Sequence, residues 1–285
     1  NLLKTSKEDT SKVMYLNNIG NEMMYSNPDS AILLGNKART LAEKLKWKKG
    51  ISNSLGHLGR CYFLSGNYSK ALDYYFTALN MSEELLDKAA IAIHLQNIGA
   101  VYSKNGDFHK ALTYLFKALK MGEELGSKPI QAGSLGNIGA IYAQQEDYPK
   151  ALNYLLQSLD LDRESGNKVS EAHSLYNIGN LYNLLGNLPK ELDYQFQALK
   201  INEEMGDKYG TIVTLHGIGN GYTRKGKYKE AEVYLKKALA ISESIGSLSF
   251  VKEFELSLSV LYQKSGRYKL ALEHFEKAMN LTDTL

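Results

Sequence analysis

Residues 95–119 read LQNIGAVYSKNGDFHKALTYLFKAL. Leu95, Ile98 and Tyr102 recur at spacings of three and four, which puts them on one face of a helix. Gly106 stops that helix, and Asp107, a good N-cap, starts a second one. The second helix carries an apolar stripe of Ala111, Leu112, Leu115, Ala118 and Leu119, and Gly126 ends it. The stretch predicts a helical hairpin, with small residues at 99, 111 and 118 where helices must approach closely.

The hairpin recurs. Asn-Ile-Gly stands at 18–20, 97–99, 137–139 and 177–179, with His57-Leu58-Gly59, Gly217-Ile218-Gly219 and Ser257-Leu258-Ser259 as related forms. The third residues fall at 20, 59, 99, 139, 179, 219 and 259, spaced 39 once and 40 thereafter, so the chain holds seven repeats. Their approximate bounds are 13–51, 52–91, 92–131, 132–171, 172–211, 212–251 and 252–285, with 1–12 a tail or the start of the first helix. The mid-hairpin break recurs at Gly66, Gly186, Gly226 and Gly266, with Glu146 the exception. Asn27 fills this place in the first repeat, where it is expected to take the left-handed conformation. At the corner between repeats, Trp47 and Leu86 are expected where later repeats have glycine. Pro149 and Pro189 fall in the first turn of their helices, where a missing N–H costs little.

The Leu95…Ile98-Gly99…Tyr102…Ala111…Leu115…Ala118 series and its copies resemble the tetratricopeptide repeat family over nearly the whole chain. The usual repeat of that family is about 34 residues; this is a 40-residue variety. The resemblance implies an all-α fold, a right-handed α-solenoid of seven helix-turn-helix repeats whose first (A) helices line the concave face. It also implies a protein- or peptide-binding scaffold without catalytic residues or cofactor.

Composition excludes other classes. The net charge is only +3 over 285 residues, with no basic stripe for nucleic acid. No apolar run approaches the roughly 20 residues of a membrane span. The single cysteine, Cys61, fits a cytoplasmic or a periplasmic location. None of His57, His94, His109, His173, His216 and His274 has a metal-ligand partner at the right spacing. Gly217-Ile218-Gly219-Asn220-Gly221 sits inside a helix, unlike a phosphate loop; either a ligand approaches it or repeat 6 is softer.

The tyrosine rows at 62, 102, 142, 182, 222 and 262, and at 74, 114, 154, 194 and 234, are expected to be packing rows. Two polar A-helix rows remain. One holds Asn18, His57, Asn97, Asn137 and Asn177, and the other Asn21, Arg60, Asn180 and Asn220. An Asn side chain offers an acceptor and two donors, which suits a peptide backbone. Such positions carry ligand-binding Asn in peptide-clamping tetratricopeptide proteins, so the resemblance implies a polar ladder along the groove. Lys104 and Arg224 are placed to meet a ligand carboxylate, and His216 to look into the groove. The competing reading is that the ladder only bridges neighbouring A helices. The Lys/Arg–Asn set of a chaperone carboxylate clamp is missing.

The 40-residue repeats with Tyr-x-Lys-Ala-Leu, as at Tyr68–Leu72, resemble the sensor or input regions of bacterial sensor histidine kinases. That resemblance implies a peptide-responsive part of a larger two-component signalling protein. The expected location is periplasmic or cytoplasmic, with periplasmic following if the membrane-kinase reading holds. The uncapped last helix is expected to allow a homodimer through the C-terminal end. The alternative is a eukaryotic adaptor of the spindle-orientation, G-protein-regulator kind, whose groove would carry more arginine than Arg60 and Arg224. A quorum-regulated phosphatase would need a further N-terminal helical bundle.

Overall fold

The computed structural model describes residues 9–281. Among these residues there are fourteen α-helices and no strand. In order they are α1 (Thr10–Met23), α2 (Pro28–Lys44), α3 (Lys48–Leu64), α4 (Tyr68–Glu84), α5 (Lys88–Lys104), α6 (Phe108–Glu124) and α7 (Lys128–Gln144). There follow α8 (Tyr148–Ser165), α9 (Lys168–Leu184), α10 (Leu188–Met205), α11 (Lys208–Arg224), α12 (Tyr228–Ser244), α13 (Leu248–Lys264) and α14 (Tyr268–Asn280). Odd-numbered helices are the A helices and even-numbered ones the B helices, giving tandem helical hairpins. The chain forms two compact units, Asn1–Ile141 and Tyr142–Leu285.

Helix starts are set by side chains that replace the missing intrahelical acceptors. Asp107 accepts from the backbone N–H of Lys110 at 3.1 Å, Asn67 from Lys70 at 3.2 Å and Asp207 from Gly210 at 3.0 Å. Each such cap contributes about 1 kcal/mol. Trp47, Lys227, Ser247 and Arg267 occupy the same place without a side-chain cap. Helix ends close by a left-handed residue: Gly106 has φ +79°, with Asp107 N–H bonded to the Tyr102 carbonyl at 2.9 Å. Glu146 takes the same conformation at φ +61°.

Two expectations about the first repeat are corrected. The residue in the left-handed corner is Lys46, at φ +53°, and Trp47 follows it as the N-cap of α3. Asn27 is an extended N-cap at φ −151° that accepts from Ser30 N–H, and no left-handed residue occurs between α1 and α2. The single 39-residue spacing is taken up here, because α1 stops three residues after Gly20 whereas α3 runs five past Gly59.

Within each unit the hairpins pack through the small residues. A Cβ at Gly99 would lie 2.7 Å from Leu115 Cγ and 3.2 Å from the Ala111 carbonyl, so A and B helices meet there only because it is glycine. Ala71, Ala111, Ala118, Ala151, Ala198, Ala231 and Ala238 are fully buried. The tyrosine rows pair as stacks: Tyr62–Tyr74 at 5.3 Å, Tyr102–Tyr114 at 5.6 Å, Tyr142–Tyr154 at 5.4 Å, Tyr182–Tyr194 at 5.6 Å and Tyr222–Tyr234 at 5.7 Å. A cation lies over the A-helix ring in each, for example Lys110 over Tyr102 at 5.2 Å. A stack contributes about 0.5–1.5 kcal/mol beyond its burial, so these are packing rows. In the last hairpin His274 replaces the second tyrosine and packs on Tyr262 at 5.1 Å.

Candidate functional site

In the first unit, helices α1, α3 and α5 line one cavity of about 440 Å³. Its wall includes Asn18 and Asn21 from α1, His57 and Arg60 from α3, and Asn97 from α5. Five of the residues expected to face a ligand are therefore brought together. The wall also holds Met14, Asn53 and Ile93, which the two polar rows did not include. Each lies four residues before Asn18, His57 or Asn97, one turn earlier on the same helical face. Extending the row by one turn would have found them.

The amides of this cavity divide into two kinds. Asn21 is engaged: its Oδ1 lies 2.8 Å from His57 Nδ1 and also accepts from Arg60 Nη2. With Oδ1 held inward by the Arg60 guanidinium, the Asn21 NH2 group is turned to other partners. Asn18, Asn53 and Asn97 make no hydrogen bond to any described residue. His57 Nε2 also sits 3.2 Å from the Ala31 carbonyl. Burial lowers the His57 pKa, the Ala31 carbonyl opposes this, and the Arg60 charge adds to the lowering. His94, deeper in the wall, meets Ser52 Oγ through Nε2 at 3.3 Å while its buried Nδ1 has no partner. Burial pushes its pKa down to about 4. Beside the cavity, Cys61 is buried, and desolvation raises its thiol to about 11, so it is an inert packing residue. Asn137 is half-buried without a hydrogen bond to a described residue, and Lys104 is exposed on the last turn of α5.

In the second unit Asn177 is likewise half-buried with its amide unengaged. The other candidates are bonded. Asn180 Oδ1 accepts from Gln195 Nε2 at 3.1 Å, and Asn220 Nδ2 lies 2.8 Å from His216 Nε2. His216 bridges to the next A helix through Ser257 Oγ at 2.8 Å and Glu253 Oε1 at 3.3 Å; burial lowers its pKa to about 4. Arg224 is paired with buried Glu191 at 2.5 Å. The expected ladder thus contains a free row (Asn18, Asn97, Asn137, Asn177) and a bridging set (Asn21, His57, Asn180, His216, Asn220). Glu191 and Gln195 were missed because they sit on a B helix; their signal was polar residues at positions that are Ala (191) and Leu, aromatic or Gly (195) in the other repeats.

The glycine triplet has a packing cause. A Cβ at Gly217 would lie 3.1 Å from the Gln195 amide atoms, one at Gly219 2.7 Å from Leu235 Cγ, and one at Gly221 3.0 Å from Glu191 Oε1. Each glycine makes room for one side chain of a neighbouring B helix. Among the described residues no group of three or more His, Cys, Asp or Glu could hold a metal ion, and no helix is long and apolar enough to cross a membrane.

Tandem helical hairpins, with unengaged asparagines on the A helices of each unit, define a helical-repeat scaffold. Tetratricopeptide repeat models match residues 50–126, 130–204, 211–245 and 256–284, and the chain belongs to the tetratricopeptide repeat family. No curated protein matches the sequence. The fold is similar to that of the Rap conjugation gene regulator of plasmid pLS20 in complex with the Phr* peptide, at 14% identity and TM-score 0.73, over 96% of this chain and 74% of that one. It is also similar to a Rap protein complexed with competence and sporulation factor, at 17% identity and TM-score 0.66, over 97% and 99% of the two chains. A third likeness is to aspartyl phosphate phosphatase F from Bacillus subtilis, at 17% identity and TM-score 0.65, over 96% and 71%. At these identities the likeness concerns the fold.

Proposed function

We propose that this protein is a non-catalytic scaffold that binds a peptide or protein segment along its A helices. The observation that carries this reading is the cavity of the first unit. There three successive A helices present Asn18, Asn53 and Asn97, amides that no described residue satisfies, beside the exposed apolar Met14 and Ile93. Unused amide donors and acceptors next to apolar surface suit an extended peptide, whose backbone needs both kinds of partner and whose side chains need apolar contact. One protein of similar fold is held with the Phr* peptide and another is complexed with competence and sporulation factor.

Asn53→Ala and Asn97→Ala test it. Both sites are on the groove side of their helices, so the melting temperature should stay near wild type, since such changes cost within about 0.5 kcal/mol. Affinity for a peptide selected on the wild-type protein should fall about ten-fold for each. Unchanged affinity in both variants overturns the cavity as the binding site. Turnover of an acyl phosphate by this chain would overturn the non-catalytic part.

The scaffold is further read as the input region of a bacterial signalling protein of the two-component type. The 40-residue repeat and the peptide-held gene regulator of similar fold support this. A parent protein whose autophosphorylation ignores a bound peptide would contradict it.

A further inference from the structure

Helix α10 departs from most other B helices at two buried positions. Glu191 stands where others have Ala71, Ala111, Ala151 and Ala231, and Gln195 where others have Leu115, Leu155 and Leu235. Glu191 is 3% exposed and Gln195 fully buried, and Gln195 Oε1 has no hydrogen-bond partner. Burying such groups is unfavourable unless they are satisfied. A helix selected for packing alone would keep Ala and Leu, and sites that break a local rule are where function is expected.

The neighbouring A helix is cut away to admit both side chains. Gly217 replaces the Asn of Asn97 and Asn177, and Gly221 replaces the apolar residue seen at Val101 and Leu181. Gln195 Nε2 donates to Asn180 Oδ1 on α9 at 3.1 Å, and Arg224 Nη2 on α11 donates to Glu191 Oε1 at 2.5 Å. Glu191 and Gln195 are one turn apart on α10, so one buried face holds two residues on the A helices. Asn180 has its oxygen occupied and its NH2 left over. Arg224 keeps N–H groups to spare, while Glu191 cancels its charge.

We propose that Glu191 and Gln195 are positioning residues of a specificity site in repeats 5 and 6, holding Arg224 and Asn180 as a charge-neutral pair of donors for the backbone carbonyls of a bound peptide. This rests on the peptide-binding reading above. Neutrality favours a carbonyl over a carboxylate, because an anion meets no net positive charge there.

The test uses the whole chain and a heptapeptide selected from a random phage-displayed library on the wild-type protein. Its Kd is measured by calorimetry for wild type, Asn180→Ala, Gln195→Leu and the double variant, with the melting temperature of each. Each single change should weaken binding about ten-fold. The double variant should be no weaker than either single one, the sign of two residues acting as one. Gln195→Leu should melt at or above the wild-type temperature. Wild-type affinity in either single variant, or additive losses in the double, overturns the positioning role and leaves the peptide-binding reading standing. Failure to enrich any peptide on the wild type overturns both. Glu191→Ala leaves Arg224 uncompensated, so a repeated selection should turn to peptides rich in Asp and Glu; an unchanged selection removes Glu191 from the site.

Discussion

Asp162, on α8, is 2% exposed, accepts from Ser174 Oγ at 2.6 Å through one oxygen and leaves the other without a partner. Desolvation raises its pKa, with the Ser174 hydrogen bond opposing. The folded chain therefore holds this proton more tightly than the unfolded chain does, and stability falls as pH rises through the window above the ordinary 3.8. One repeat later the same place holds Asn202, which donates to Thr214 Oγ1 at 3.1 Å. Asp162→Asn should accordingly raise the urea midpoint at neutral pH, and the gain should vanish below pH 3.8. His94 works in the opposite sense. Burial holds its pKa near 4 against an ordinary 6.5, so the unfolded chain binds the proton first and stability is lost as pH falls from 6.5 towards 4. Other repeats carry Ser54, Ser134 and Ser174 there. His94→Ser should lower stability through the cavity it leaves yet flatten the pH slope over that window, as a denaturation series would show. Which candidate residues were free and which engaged was not legible in the sequence. The partner of Asn180 is a glutamine at an apolar position of a B helix, and the partners of His57 lie one repeat away.

At the scale of the helices, periodicity carried the reading. The spacing of apolar residues located the hairpins, and glycines marked their ends. The first repeat resisted because its missing residue lies in the turn before α2. Counting the corner forward from Gly20 reaches Trp47, whereas counting back from Gly59 reaches Lys46, and the backbone follows the second count. The same geometry makes a prediction. Leu86 is held at φ +54° with its side chain 84% exposed, in a corner that four later repeats fill with glycine. A non-glycine residue there is strained by about 1–2 kcal/mol. Part of the relief is offset by the greater freedom of glycine in the unfolded chain. Leu86→Gly should stabilise by about 1 kcal/mol in chemical denaturation.

For the whole molecule, each hairpin draws its packing from its immediate neighbours, so stability is distributed along the chain. Helix α14 has a packed neighbour on one side only among the described residues. Phe275 and Met279 of α14 are 45% and 38% exposed, while Leu235 and Leu155 at the first of these positions are 0% and 1% exposed. Backbone amides of α14 should exchange with deuterium well before those of α10 and α12; equal protection would mean that the chain opens as one cooperative block.

That distribution can be followed optically. Trp47 is the only tryptophan, and its ring lies over Gly50, where a Cβ would come within 2.1 Å, against the cluster of Val13, Leu16, Ala38, Leu41 and Ala42. Its fluorescence therefore reports on the first three helices alone. The five tyrosine stacks, spread from α3 to α12, supply a near-ultraviolet dichroism signal that extends over the later hairpins. One unlabelled sample thus offers two colours of readout, and a lag between them during melting would time the spread of unfolding from one end of the repeat array to the other.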